Sequence, residues 1–326
     1  MKFSTVLASI ACVAMGAVAV PAFASAQDYP VRPIKMIVPY SAGGPADVVG
    51  RVISQRLSAI LGQPIVVENR GGAGGSIGGR AVATSDPDGY TLLFGATGPL
   101  VISPMVFKVP DYDPSKGLVP ITLVGTTSNI LVVNPALPVH SVKELIAYAK
   151  ANPGKLSYSS PGVGTPPHLI GEMLKLKTGI DMLHVPYKGG GASTQGVIGG
   201  QVQLTFENPA VSLPLVRSGT VRALAVTSST RNPQISELPT MIEAGVPDFV
   251  SVSFTGLVAP AGTPEPIIHK LNAAVNESLK DAAVQSVLKK LGVDIHGGTP
   301  EEFGAFLMRE RAKWGEVAKA ANLRPK

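Results

Sequence analysis

From Ile34 onward, short runs rich in valine, isoleucine and leucine alternate with longer stretches whose apolar positions recur three and four apart. The short runs predict strands at 34–39, 64–68, 90–95, 121–124, 129–134, 156–160, 183–187, 202–206 and 222–227. Strands interleaved with helices at this spacing imply an α/β fold with parallel sheets covered on both faces. Ser141 with Glu144 and Thr299 with Glu302 fit the capping box that opens a helix, and Pro300 stands where a first helical residue belongs. In the last helix Phe303, Phe306, Leu307, Trp314 and Val317 share one stripe while Arg309, Arg311, Lys313 and Lys319 point elsewhere. That stripe predicts a core role for Trp314, not a ligand platform.

A chain of 326 residues, 45% apolar and 15% charged, exceeds the comfortable size of one core. Two sheets are expected. Helix-free segments near 125–129 and around residue 250 read as two crossings between lobes. Residues 27–128 and 251–326 then make one lobe, and 129–250 are inserted as the other.

Residues 1–26 follow a different pattern: Lys2 is the only charge, an apolar run covers 6–20, and Pro21 precedes small residues. This is the pattern of a secretory signal peptide. Ala24-Ser25-Ala26 places cleavage between Ala26 and Gln27, with Ala22-Phe23-Ala24 as the second choice. The single cysteine, Cys12, falls inside the leader, so the mature chain carries no thiol for a disulfide or for catalysis. A lipid anchor on Cys12 would call for an aliphatic residue three places back, where Ser9 stands. No later run is long enough to span a bilayer. A soluble protein of a bacterial periplasm is expected.

The formal charge of +6 is scattered, without a dense basic run or interleaved aromatics, which argues against nucleic acid as a partner. A mildly positive field would steer small anions instead. Three loops could hold one. The first is Gly43-Gly44 before Pro45 and Asp47; the second is 159–169, with Thr165 as N-cap, Pro166 at the first helical position and His168 beyond; the third is 185–193, with Tyr187 ending a strand before glycines 189 to 191. A helix N-terminus exposes N–H donors and about half a positive charge, and glycine admits a ligand close to the backbone.

Nucleotide motifs fail on spacing, since neither G-x-G-x-x-G at the first loop nor G-x-x-x-x-G-K-[ST] occurs. The glycine-rich run 71–80 is read as a tight turn with close helix–sheet packing. The five histidines show no metal-ligand spacing, so no cofactor and no metal are expected.

Five separated stretches, YPVRPIKMIVPYSAGGPADVVGRV, VVENRGGAGGSIGGRAVATSDPDGYTLLFG, LSYSSPGVGTPPHLIGEML, HVPYKGGGASTQGVIGGQV and LPTMIEAGVPDF, together resemble the substrate-binding receptors of tripartite tricarboxylate transporters, the Bug-type periplasmic proteins. The resemblance covers essentially the whole mature chain in order. It implies a type II two-lobe flytrap that closes over a small organic carboxylate through backbone amides and ordered water, then delivers it to transporter subunits on separate chains. It also implies a monomer and no enzyme activity.

Carried over residue by residue, the first lobe's contacts fall on Tyr40, Ser41, Ala42, Gly43, Gly44 and Thr97. The second lobe's fall on Ser160, Gly164, Thr165, His168, Tyr187, Lys188 and Gly189, with Glu207 and Asn208 where cargo identity is written. Asp47 reads as a cap, because a carboxylate beside an anionic cargo would repel it. Lys188 reads equally as a solvated surface lysine or as a counter-charge, and Glu207 as a helix cap or as a contact to an ammonium or hydroxyl. Two other functions stand beside the receptor: a periplasmic hydrolase with His168 as general base, and a ligand sensor acting on a membrane signalling protein.

Overall fold

The computed structural model describes residues 29–325, so the leader, its cleavage point and Cys12 lie outside the described residues. The chain opens with β1 (Ile34–Val38), α1 (Pro45–Leu61), β2 (Ile65–Asn69), α2 (Ser76–Ala83), β3 (Thr91–Ala96), α3 (Pro114–Gly117) and β4 (Leu118–Ser128). It continues through β5 (Ile130–Val133), α4 (Val142–Ala151), β6 (Ser157–Ser160), α5 (Pro166–Thr178), β7 (Leu183–Pro186), α6 (Gly190–Ile198), β8 (Leu204–Glu207), α7 (Pro209–Arg217) and β9 (Arg222–Val226). β10 (Val252–Pro260), α8 (Glu265–Ser278), α9 (Ala282–Lys290), β11 (Asp294–Gly297) and α10 (Pro300–Ala320) end it.

These strands form a six-stranded sheet, ordered β11-β4-β10-β3-β1-β2, and a five-stranded sheet, ordered β7-β6-β8-β5-β9. Each sheet is the centre of one lobe. The all-parallel expectation is corrected. β1 is parallel to β2 and β3, and β6 to β7 and β8, but β10 runs antiparallel to β3 and β4, β11 to β4, and β5 to β8 and β9. The cause is the path of the chain. It leaves the first lobe along β4 directly into β5 and returns along β10, so the outward and returning strands must run in opposite directions.

Thr227 ties the two crossings together. Its hydroxyl accepts from Asn129 N–H at 2.8 Å and donates to Ser251 C=O at 2.6 Å. Its own N–H reaches Asn129 C=O at 2.9 Å, and its carbonyl accepts from Ser251 N–H at 2.8 Å.

α10 starts with the expected capping box, Thr299 and Glu302 exchanging bonds of 3.2 and 2.8 Å. Phe303, Leu307, Trp314 and Val317 are buried, and Trp314 Nε1 donates to Glu310 at 3.0 Å, so the tryptophan is core as its spacing predicts. α10 packs against β4 in its own lobe and against α5 in the other. The lobes also meet at Gly164, where a Cβ would stand 3.2 Å from both Val106 and Phe107. On another side Gln234 Nε2 donates to Lys289 C=O at 3.3 Å.

Candidate functional site

The first loop owes its shape to one carboxylate. Gly43 has φ of +83°, a left-handed conformation that disfavours any side chain, and its N–H donates to Asp47 Oδ2 at 2.9 Å. Asp47, 3% exposed, also accepts from Arg51 Nε at 3.0 Å and from Asn69 Nδ2 at 2.9 Å. Burial alone would raise its pKa, but Arg51, the Gly43 amide and Asn69 together hold it below the usual carboxylate range. α1 has no side-chain cap, so the expected capping role is corrected: Asp47 braces the loop before the helix, with its charge answered. Gly43 N–H is taken, and Pro45 has none. Helix geometry leaves Gly44, Ala46 and Asp47 as the donors at the mouth of α1.

Beside this helix end lies a cavity of about 170 Å³ with walls from both lobes. Tyr40, Ala46, Val49 and Thr97 form one side, β10 contributes Ser253, Phe254 and Thr255, and Thr127 comes from β4. Leu291 and Val293 close one end; Pro166 and Asn208 reach in from the second lobe. Burial pushes the Tyr40 phenol up, keeping it a neutral donor. Thr97, 1% exposed, accepts from Phe254 N–H at 2.8 Å and so fixes β10 against the end of β3.

The second lobe's loops are internally bonded. Gly162 N–H donates to Ser160 Oγ at 3.2 Å, Gly164 N–H to His168 Nδ1 at 3.1 Å, and Thr165 N–H to Gly162 C=O at 3.3 Å. Thr165 is the N-cap of α5 by position, yet its hydroxyl donates to Gly162 C=O at 2.7 Å, and Pro166 and Pro167 bring no N–H. The α5 terminus is therefore poor in donors. α6 is richer: Gly189 caps it by position, its N–H bonded to Pro161 C=O at 3.1 Å, and Gly190, Gly191 and Ala192 follow with ordinary amides.

Of the residues expected at the site, Tyr40, Thr97 and Asn208 line the cavity, while Gly44 borders it next to Pro45 and Ala46. Ser41, Ala42 and Gly43 are exposed on the loop above. Ser160, Gly164, Thr165 and His168 form the scaffold behind Pro166. Tyr187 donates its hydroxyl to Gln201 at 3.2 Å and Lys188 points to solvent. Glu207 accepts from Thr194 Oγ1 at 2.6 Å and Asn208 N–H at 2.8 Å, and burial raises its pKa. The cap of α7 is Asn208 itself, accepting from Ala210 N–H at 2.8 Å.

Sequence reasoning missed Ser253, Phe254, Thr255, Leu291 and Val293, whose residue types read as ordinary strand and core. It also missed His184, whose Nε2 bonds Ser160 Oγ. In the glycine run 71–80 the packing reading fits: a Cβ on Gly78 would stand 2.6 Å from Arg70 C=O, and one on Gly79 2.2 Å from the Tyr112 hydroxyl.

Comparison with known proteins gives one picture. The family model described as tripartite tricarboxylate transporter family receptor matches residues 49–323. Protein BugT of Bordetella pertussis is 39% identical over 321 residues, covering 98% of each chain. Among solved structures, that titled R. palustris Rpa4515 with adipate has a TM-score of 0.81 at 37% identity, covering 92% of this chain and 100% of that one. MatC from Rhodopseudomonas palustris with bound malate has a TM-score of 0.77 at 33% identity, covering 89% and 99%. With two lobes, a cleft walled by both, and agreement along nearly its whole length, the chain belongs to the receptors of the tripartite tricarboxylate transporter family.

Proposed function

We propose that this chain is a periplasmic solute-binding receptor that takes a small organic carboxylate into its interlobe cleft and delivers it to membrane transporter subunits on separate chains. In this reading residues 1–26 are the exported leader, 129–250 are the second lobe, and the mature protein is a monomer. The observation that carries it is the cavity's lining, which contains no Asp, Glu, Lys, Arg or His yet borders the amide end of α1. An anion there is held by N–H donors and the helix field, not by a cationic side chain.

The same lining narrows the cargo. Val49, Phe254, Leu291 and Val293 suit a hydrocarbon middle. The volume of about 170 Å³ compares with the roughly 150 Å³ that accommodates benzene, which sets a cargo of about six to ten heavy atoms. Adipate and malate, bound by relatives, lie at the top of that range, and citrate exceeds it.

Thermal melting of protein stripped of ligand tests this against mono-, di- and tricarboxylates. A ligand at a hundredfold over its Kd adds about 2.7 kcal/mol, a rise of several degrees in Tm. The reading expects that rise with adipate-sized diacids and little with citrate. No rise with any carboxylate removes it.

One observation favours a hydrolase: Ser160 Oγ lies 2.6 Å from His184 Nε2. Ser160 is fully buried and also bonded to Gly162, and burial, then His168, then Lys175 lower the His184 pKa to about 3. Such an imidazole is a poor base. Prolonged incubation with esters and amides checks for turnover.

A further inference from the structure

His168 and His184 come from α5 and β7, sixteen positions apart in sequence, and their rings stack with centroids 3.9 Å apart and planes 22° apart. Tyr158 continues the stack on His184 at 4.9 Å. Each imidazole holds one end of the loop 160–166: His184 Nε2 bonds Ser160 Oγ at 2.6 Å, and His168 Nδ1 accepts from Gly164 N–H at 3.1 Å. That loop is the part of the second lobe that meets Val106 and Phe107 of the first, and it carries Pro166 into the cavity wall.

We propose that His168 and His184 act as one positioning unit, holding the 160–166 loop against the first lobe while both rings are neutral and releasing it when His168 takes up a proton. The affinity part of this rests on the receptor reading; the loop part does not.

The chemistry follows from the hydrogen bond. A neutral His168 that accepts at Nδ1 carries its proton on Nε2, so Nδ1 is the only nitrogen left to protonate. Proton uptake must therefore displace Gly164 N–H. The second ring, 3.9 Å away, then resists becoming charged as well.

The surroundings keep the pair neutral near pH 7. Burial lowers the pKa of His168; Glu172 on its own helix opposes this and Lys175 adds to it. Glu172 already accepts from the Tyr158 hydroxyl at 2.6 Å and from Lys175 at 3.1 Å. From β8 comes Glu207, bonded to Thr194. α10 brings Glu310, bonded to Lys313 at 2.6 Å and to Trp314. The first-lobe segment against Gly164 presents Val106 and Phe107, with Lys108 just beyond. Because both histidines have lowered pKa values in the folded protein, their contribution is complete above the ordinary histidine value of about 6.5 and is lost as pH falls below it.

The test is amide hydrogen exchange of Gly164 in full-length mature protein without ligand, corrected for intrinsic rate, at pH 7.5 and 4.5, for wild type and His168→Asn. An asparagine oxygen can accept the Gly164 N–H without titrating. Wild-type protection should fall about tenfold or more between the two conditions, while H168N stays flat. Unchanged wild-type protection, or an equal fall in H168N, overturns the proposal. If H168N does not fold, NMR titration of wild type decides: the His168 ring and the Gly164 amide must move with one midpoint, and separate midpoints overturn it. Calorimetry with adipate is run in parallel. Affinity falling with the same midpoint supports the coupling to cargo, affinity flat across it removes that coupling, and absence of adipate binding at any pH counts against the proposed cargo while the exchange result still stands.

Discussion

The two loops that face each other across the cleft are braced by opposite means. In the first lobe Asp47 gathers Gly43, Arg51 and Asn69 around a full negative charge, and the Arg51 side chain is 52% exposed. In the second lobe a pair of stacked neutral imidazoles holds Ser160 and Gly164 beneath α5. Solvent explains the choice: an ion pair near the surface keeps part of its hydration, whereas an isolated charge inside the second lobe would lose several kcal/mol of it. Asp47, with its lowered pKa, keeps its brace until pH falls below about 3.9, while the histidine pair weakens from about 6.5 downward.

The comparison breaks most visibly at Asp47. Asp47→Ala leaves Gly43 N–H without its acceptor, Asn69 Nδ2 with only the Tyr40 carbonyl and Arg51 without its counter-charge, and a loss of about 3 kcal/mol in urea denaturation is expected. A loss under about 0.5 kcal/mol would show that the loop holds itself without the charge. Thr97→Val keeps the shape but strands the buried Phe254 N–H, costing about 2 kcal/mol. Exchange in the 160–166 loop should stay unaltered in that variant, which separates the two lobes.

Gly43→Val should cost about 1–2 kcal/mol, because a β-branched residue resists φ of +83°. The fold should persist while adipate binding weakens in calorimetry; undiminished affinity would remove that loop from the site. The smallest effect is expected at the contact joining the lobes on their other side. Gln234→Ala removes one exposed hydrogen bond to Lys289, worth about 0.5 kcal/mol. Small-angle scattering of the ligand-free variant should report a slightly larger radius of gyration, and an unchanged radius means that this bond does not latch the cleft.

Much of the architecture could be read from the chain. Runs of β-branched residues marked β1, β2, β3 and β5 to β9 to within a few residues, and Thr299, Pro300 and Glu302 marked the start of α10. The reason is that strand periodicity, capping and glycine turns are local: their signals lie within a few positions of the backbone they shape. The glycine pair before α1 and the burial of Trp314 were legible for the same reason.

Tertiary structure decided what depends on residues far apart in sequence. β11 has little apolar signal of its own and exists as a strand because β4 offers it an edge. The antiparallel pairing of β10 follows from the route of the chain out of the first lobe and back, and with it the cavity wall at Ser253, Phe254 and Thr255. Asp47 meets Asn69, Thr97 meets Phe254, and His168 stacks on His184. No spacing rule encodes such pairs, because each is made by two elements that approach only after the sheets have formed.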